Sequence, residues 1–287
     1  IGISSICYYN SHRLISRISV ITPTYNQSQT LRYAINSALS QTVDDIEIII
    51  VDDGSTDKTP EVVRQYDDQR INYIQHDKNK GKSAALNTGI NQSTGEYIAE
   101  LDSDDRWYPI KLERQIGHLE KKTSDYVACY CDFCFDKKTR STIITTVASL
   151  LDRMFPDAKT HPEGQWDIVQ DILSLRASIA GSTLLTKRDA INSINGYNQR
   201  YQRHTEWELL LRLAKIGDIS YVDESLVVRK ITSPPDPEVV EATKKLLFED
   251  YASEIRELEE DNVPITAYHR FSLAKKFLRD GNFAQGM

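Results

Sequence analysis

Short apolar runs alternate with amphipathic stretches over residues 18–101. Ile18-Ser19-Val20-Ile21, residues 46–51, residues 71–75 and the stretch around Ile98, Ala99 and Leu101 have the length and β-branched content of buried strands. Between the first two, Leu31, Ala34, Ile35, Ala38 and Leu39 recur at helical spacing, which predicts a helix over 28–40 with Ser28 as its cap. Further helices are predicted over 60–66 and 81–90. Pro23 is expected to end the first strand, because it cannot donate to a ladder. Strand followed by helix three times, closed by a fourth strand, predicts an α/β fold. Its central sheet is mostly parallel and carries helices on both faces.

The second half is less regular. Residues 126–135 read as a strand. Residues 164–175 read as a helix with Trp166, Ile168, Val169, Ile172 and Leu173 apolar, and residues 179–185 as another strand. A strongly apolar helix is expected from about Arg203 to Gly217. Pro234-Pro235-Asp236-Pro237 reads as a stiff linker. Beyond it, Val239, Val240, Leu246, Leu247, Tyr251, Ile255 and Leu258 predict one helix over 238–260. A last helix over 268–280, followed by Gly281-Asn282-Phe283-Ala284, resembles half of a tetratricopeptide hairpin and is read as a packing helix. The expected divisions are 1–17, 18–122, 123–233 and a helical C-terminal extension over 234–287.

Composition removes several classes. A net charge of −7 over 287 residues and a pI near 5.5 exclude a broad basic face, so no nucleic-acid partner is expected. No apolar run reaches the roughly 18–20 residues that span a bilayer, and residues 1–17 have no signal-peptide core. The expectation is a cytoplasmic protein. Of the four cysteines, Cys129, Cys131 and Cys134 form C-x-C-x-x-C, but no fourth zinc ligand stands nearby. With Cys7, they read as reduced thiols. No G-x-G-x-x-G follows the first strand and no G-x-x-x-x-G-K-[ST] occurs, which argues against a dehydrogenase and a P-loop ATPase.

In doubly covered sheets ligands bind beyond the carboxyl ends of the strands. Three polar clusters fall there: Thr22-Pro23-Thr24-Tyr25-Asn26, Asp52-Asp53-Gly54-Ser55-Thr56-Asp57 and Asp102-Ser103-Asp104-Asp105. The last puts three carboxylates in four residues. Carboxylates so close repel one another unless something positive sits between them. Oxygen ligands suit a hard ion, Mg²⁺ or Mn²⁺. The blander account is an acidic turn before a helix.

These clusters, in this order, with the Gly81–Gly89 stretch between the second and third, resemble a family 2 glycosyltransferase of GT-A fold. The resemblance is densest over residues 18–122 and continues more thinly to about residue 233. It implies an inverting, non-processive enzyme that moves a sugar from a nucleotide-diphosphate donor, a UDP-sugar by expectation, to a hydroxyl of a glycan, a lipid-linked saccharide or a glycoprotein. Residues 18–122 would then bind the nucleotide sugar and 123–233 the acceptor, with peripheral contact at the cytoplasmic membrane face left open. Thr22, Pro23 and Tyr25 would line the nucleotide base, and Asp52 or Asp53 would take its ring N–H, without a choice between them. Lys82 would reach the base or phosphates. Asp104 is the first choice of metal ligand, Asp102 sits nearer the ribose or metal, Ser103 belongs with the donor-binding residues, and Asp105 is less secure. Asn195-Gly196-Tyr197-Asn198 resembles the family's Gly-Gly-Phe-Asp turn.

The chain departs from the family in two places. Thr205-Glu206 stands where relatives carry Glu-Asp, the Asp being the catalytic base; Glu206 therefore takes that role, one methylene longer, with Glu208 as the alternative. Val228-Arg229-Lys230-Ile231 lacks the His that often follows Arg in relatives, leaving Lys230 or His204 to substitute. The processive signature Q-x-x-R-W is absent. Two rival readings are a non-catalytic nucleotide-sugar-binding scaffold and a nucleotidyltransferase.

Overall fold

A computed structural model describes residues 18–136, 160–230 and 236–279. Cys7, Pro234-Pro235 and the Gly281–Ala284 stretch lie outside them. The first half runs β1 (Ile18–Thr24), α1 (Leu31–Leu39), β2 (Ile46–Asp52), α2 (Thr59–Val63), β3 (Ile71–Gln75), α3 (Lys82–Gln92) and β4 (Tyr97–Glu100). Then follow β5 (Arg106–Trp107), α4 (Lys111–Leu119), β6 (Tyr126–Phe135), α5 (Trp166–Leu173), a 3-10 turn (Gly181–Thr183), β7 (Leu184–Lys187), α6 (Arg188–Ser193), α7 (Thr205–Leu213) and β8 (Asp218–Arg229). Three helices close the described chain: α8 (Pro237–Asp250), α9 (Ala252–Glu260) and α10 (Ile265–Arg279).

All eight strands join one sheet in the order β3-β2-β1-β4-β7-β6-β8-β5. The pairings among β1 to β4 are parallel, as is β6 with β8; those of β7 with β4 and β6, and of β5 with β8, are antiparallel. Alternate residues of β1 serve two separate cores. Val20 packs with Leu31, Ala34, Ile35, Leu112 and Ile116 on the α1/α4 face. Ile21 packs with Leu86, Ile172, Leu209 and Leu213 on the α3/α5/α7 face. A sheet buried on both faces explains why its strands read as continuous apolar runs rather than alternating ones. Each fully buried Ile or Leu contributes about 1.5–3 kcal/mol relative to exposure.

The structure corrects four local expectations. β1 continues through Pro23, which pairs with Val51, because β4 has stopped pairing at Ile21 and no ladder there needs the missing N–H. α1 starts at Leu31 rather than 28, since the Ser28 amide is taken by Asp57 and Ser28 caps nothing. Of residues 179–185 only 184 and 185 are strand, the preceding three forming the 3-10 turn. The single helix over 238–260 is two, broken at Tyr251, whose ring is buried on the core instead of continuing the helical face.

Candidate functional site

The β1 and β2 loops are stapled to each other. Asn26 sits in the left-handed region (φ 52°), which its short polar side chain tolerates. Its Oδ1 accepts from the amides of Thr56 (2.8 Å) and Asp57 (3.3 Å), and its own amide donates to Ser55 Oγ (2.9 Å). Asp57 accepts in turn from Ser28 N (3.1 Å) and from Thr59 N (2.9 Å). Burial works to raise the Asp57 carboxyl, but the bonds from Thr59 and Ser28 outweigh it and hold it down at about 2. Gly54 (φ 77°) is required between the two aspartate-rich turns: a Cβ there would run into the Lys78 backbone.

Asp52 and Asp53 separate into different tasks. Asp52 is fully buried and accepts from Ser55 N, Tyr73 Oη (2.6 Å) and Gln75 Nε2. Asp53 accepts from Lys80 N (2.9 Å), Gly81 N (2.7 Å) and lies 2.7 Å from His76 Nδ1, so it moulds the loop that opens α3. A cavity of about 290 Å³ is lined by Pro23, Tyr25, Asp53, Lys82, Asp102, Ser103 and Asp104, with Thr24 and Asn79. The structure thus brings together most of the expected donor-side residues. Thr22 and Asp52 are not among its walls. Thr22, only 1% exposed, lies inside the sheet opposite Ile50, and Thr24 takes the place expected for it. Among the described residues the buried Thr24 hydroxyl has no hydrogen-bond partner, and it stands at the cavity's edge.

A second cavity, about 310 Å³, contains Glu206, Trp207, His204, Ile179 and Arg229, and it shares Lys82 and Asp102 with the first. The Lys82 ammonium is the partition, 2.6 Å from Asp102 Oδ1 and 2.7 Å from Glu100 Oε1. Burial opposes its charge, yet Asp102, Glu100 and Glu206 together push its pKa well above that of an ordinary lysine. Asp102 is lowered because Lys82 overcomes the effect of burial. Asp104 is raised, first by burial and then by the charge of Asp102.

Asp105 belongs to the scaffold. Its carboxylate accepts from Ser182 Oγ (2.8 Å) and Lys230 N (3.1 Å) and lies 3.5 Å from Arg229 Nε. Burial and the neighbouring Asp102 push it up to about 7 despite Arg229. Lys230 therefore enters through its backbone. His204, the left-handed residue before α7 (φ 53°), stacks on Trp207 with centroids 4.2 Å apart, and burial lowers it to about 4.

Glu206 and Glu208 share one helical turn and differ in every other respect. Glu206 is half-buried on the second cavity, and among the described residues its one hydrogen bond is a 3.4 Å contact from Thr205 Oγ1. Glu208 is 2% exposed and holds Arg212 through two 2.7 Å bonds, while Arg212 also donates to the carbonyls of Ile194 and Gly196. That fork ties α7 to the Asn195–Asn198 turn and leaves Glu208 no capacity for outside chemistry.

Glu100 escaped the sequence reading. It is 3% exposed, beside Lys82, and accepts from Tyr197 Oη at 2.5 Å. A charged residue closing the otherwise apolar run Tyr97-Ile98-Ala99 was the available signal. Gly181 stands against it, since a Cβ there would overlap the Glu100 carboxylate.

The family model for glycosyl transferase family 2 matches residues 19–178, more than half of the chain. The chain belongs to glycosyl transferase family 2. A glycosyltransferase of Rickettsia typhi is 33% identical over 215 residues, covering 75% of this chain and 64% of its own length. The chain thus spans less than two thirds of that relative. The putative teichuronic acid biosynthesis glycosyltransferase TuaG of Bacillus subtilis is 39% identical over 51% of this chain and 56% of its own. Among solved structures, S. aureus TarS 1-349 in complex with UDP-GlcNAc aligns with a TM-score of 0.64 at 17% identity, over 89% of this chain and 73% of that one. The mannosyltransferase PcManGT from Pyrobaculum calidifontis, in complex with GDP-Man and Mn²⁺, gives 0.62 at 17% identity over 94% and 72%. The GT-A α/β architecture expected of this family 2 chain is the architecture it has. No helix among the described residues is long and apolar enough to cross a membrane.

Proposed function

We propose that the chain transfers a sugar, with inversion, from a nucleoside-diphosphate donor to an acceptor hydroxyl. The observation that carries this reading is that two cavities meet at Lys82 and Asp102, with the nucleotide loops on one side and Glu206 on the other. The base lies against Pro23 and Tyr25, and Asp53 rather than Asp52 is the acidic residue at that wall. Asp102 and Asp104 would hold a divalent cation. Two neighbouring carboxylates, one of them raised by burial and by the charge of the other, fit a hard ion. Among the described residues no third protein ligand joins them, which suits Mg²⁺ or Mn²⁺ that keeps water and phosphate oxygens. The cation, when bound, neutralises charge on the departing diphosphate.

The remaining chemistry falls to the chain. Glu206 accepts the proton of the acceptor hydroxyl as its oxygen bonds to the anomeric carbon, and the bond from that carbon to the diphosphate breaks on the opposite face. Its place in the first turn of α7 fixes the carboxylate at the wall of the second cavity. Lys82 stands between the two sides, positioned to meet negative charge on the diphosphate. A UDP-sugar is the expected donor, and a glycan, lipid-linked saccharide or glycoprotein the acceptor. Thermal-shift titration with nucleoside diphosphates and Mn²⁺ tests the reading. Uridine diphosphate at a hundred times its Kd should stabilise the fold by about 2.7 kcal/mol. No shift with any nucleotide overturns the reading; release of pyrophosphate from a nucleotide sugar would indicate a nucleotidyltransferase instead.

A further inference from the structure

The loop that carries Asp102 and Asp104 is held from behind. Ser182 Oγ accepts from the Asp102 amide (3.0 Å) and donates to Asp105 Oδ2 (2.8 Å), so one hydroxyl of a fully buried residue grips the loop at both ends. The Asp105 amide closes the turn on the Asp102 carbonyl (3.0 Å). Ser182 is the middle residue of the 3-10 turn before β7. The placing of that turn therefore sets how Asp102 and Asp104 stand to one another.

Two side chains hold the turn by adjacent carbonyls. Trp107 Nε1 donates to the Ser182 carbonyl (2.8 Å), and Gln115 Nε2 to that of Thr183 (2.8 Å). Trp107 is on β5 and Gln115 on α4, and both are buried. Lys111, at the start of α4, touches both and has no exposed surface. Its Nζ donates to Gln115 Oε1 (2.7 Å) and lies 4.0 Å from the centre of the Trp107 ring. An amide side chain can turn either end to a neighbour. A donor at Oε1 decides the matter, since the NH₂ end is then the one that faces Thr183. The amine over the indole face fixes the ring that carries the other donor.

Lys111 is a poor choice for stability alone. Burial brings it down to about 8, against smaller opposing pulls from the Cys131 and Cys129 thiols. A lysine whose pKa falls on folding destabilises the fold at neutral pH, and an apolar chain of equal length would fill the space without that cost. What the amine supplies is orientation, to two donors that meet on one turn. We infer that Lys111 is a positioning residue for the Asp102–Asp104 pair: through Gln115 and Trp107 it fixes the turn whose Ser182 hydroxyl sets the loop. The inference rests on the reading of Asp102 and Asp104 as cation ligands, but the hold on the loop is measurable without metal, donor or turnover.

The test is amide hydrogen exchange of the whole chain, read segment by segment by mass spectrometry, without metal or nucleotide. Lys111→Met keeps the length of the side chain but offers Gln115 no donor. It should speed exchange over 102–105 by about tenfold or more, the scale of one lost hydrogen bond. Segments 24–28 and 52–59, which are stapled to each other, should exchange at the wild-type rate. Trp107→Phe keeps a ring beneath the amine but has no N–H for Ser182. It should act in the same way and covers the case in which Lys111→Met does not fold. Mn²⁺ binding in the presence of uridine diphosphate, read from the electron spin resonance of the free ion, should weaken about 10- to 100-fold in both variants, the usual loss when support for a metal ligand is removed. Uridine diphosphate alone should bind as to wild type. Unchanged exchange over 102–105 in either variant overturns the inference. An equal rise in all three segments also overturns it, by showing that Lys111 merely supports the fold, and so does faster exchange over 102–105 with Mn²⁺ affinity unchanged. Wild type that binds no Mn²⁺, while 102–105 alone responds to both substitutions, upholds the grip of Lys111 on the loop and defeats only the reading of the pair as cation ligands.

Discussion

Glu206→Gln and Glu208→Gln should fail in opposite ways, although the residues stand two apart on α7. Glu206 has one long side-chain contact and faces a cavity, so an amide there breaks no buried pair. Its effect on stability should stay within about 0.5 kcal/mol. An amide takes no proton, and removing a general base costs about a hundred- to ten-thousand-fold in rate, or about 3–5 kcal/mol of transition-state stabilisation. Glu208→Gln takes one partner from a buried, two-bond ion pair with Arg212. Weakening such a pair costs about 3 kcal/mol, and in a domain of this size lowers Tm by about 6–12 °C. Surviving folded Glu208→Gln should transfer sugar at a rate close to wild type. The assay is release of nucleoside diphosphate under single-turnover conditions, with donor affinity measured separately and Tm by calorimetry. Glu206→Gln with normal turnover, or a stable Glu208→Gln that is inactive, would refute the assignment of roles.

Asp104→Ala should lose Mn²⁺-dependent donor binding while Tm changes little, which isothermal titration with and without the metal would check. Gly181→Ala should force the Glu100 carboxylate away from Lys82; a lower Tm together with weaker donor binding is expected, and a wild-type profile would show that the Glu100–Lys82 contact is dispensable. The Asp57 carboxyl is held below its ordinary value of 3.8, at about 2. Its stabilising effect is therefore complete above pH 4 and lost as pH falls toward 2; acid unfolding of Asp57→Asn should lack that part of the wild-type decline.

The first half of the fold was legible because two signals coincided there. The runs 46–51 and 71–75 are too short and too β-branched for helices, and each ends in residues with unmistakable turn chemistry. Glu206, proposed as the base, was singled out by position in a resemblance, although nothing local separated it from Glu208. That separation came from Arg212, one turn on, whose choice of partner depends on the carbonyls of Ile194 and Gly196, brought near only by folding. The choice between Asp52 and Asp53 was likewise tertiary: Tyr73 and Gln75 on β3 claim the first, the loop into α3 claims the second. β7 was placed too early because Ile179 to Thr183, which precede it, are as apolar or small as strand residues and yet end in a 3-10 turn.

The bonds from Asn26 to residues 55–57 have a consequence for anyone who would alter the nucleotide preference. Tyr25 and Asp53 stand 28 positions apart, yet the segments that carry them behave as one cassette, because each supplies the other's amide partners. Grafting one segment from a relative would strand the side chains and amides of the other. A chimera should exchange residues 24–28 and 52–59 together, and its success or failure should follow that pairing more closely than the total number of residues changed.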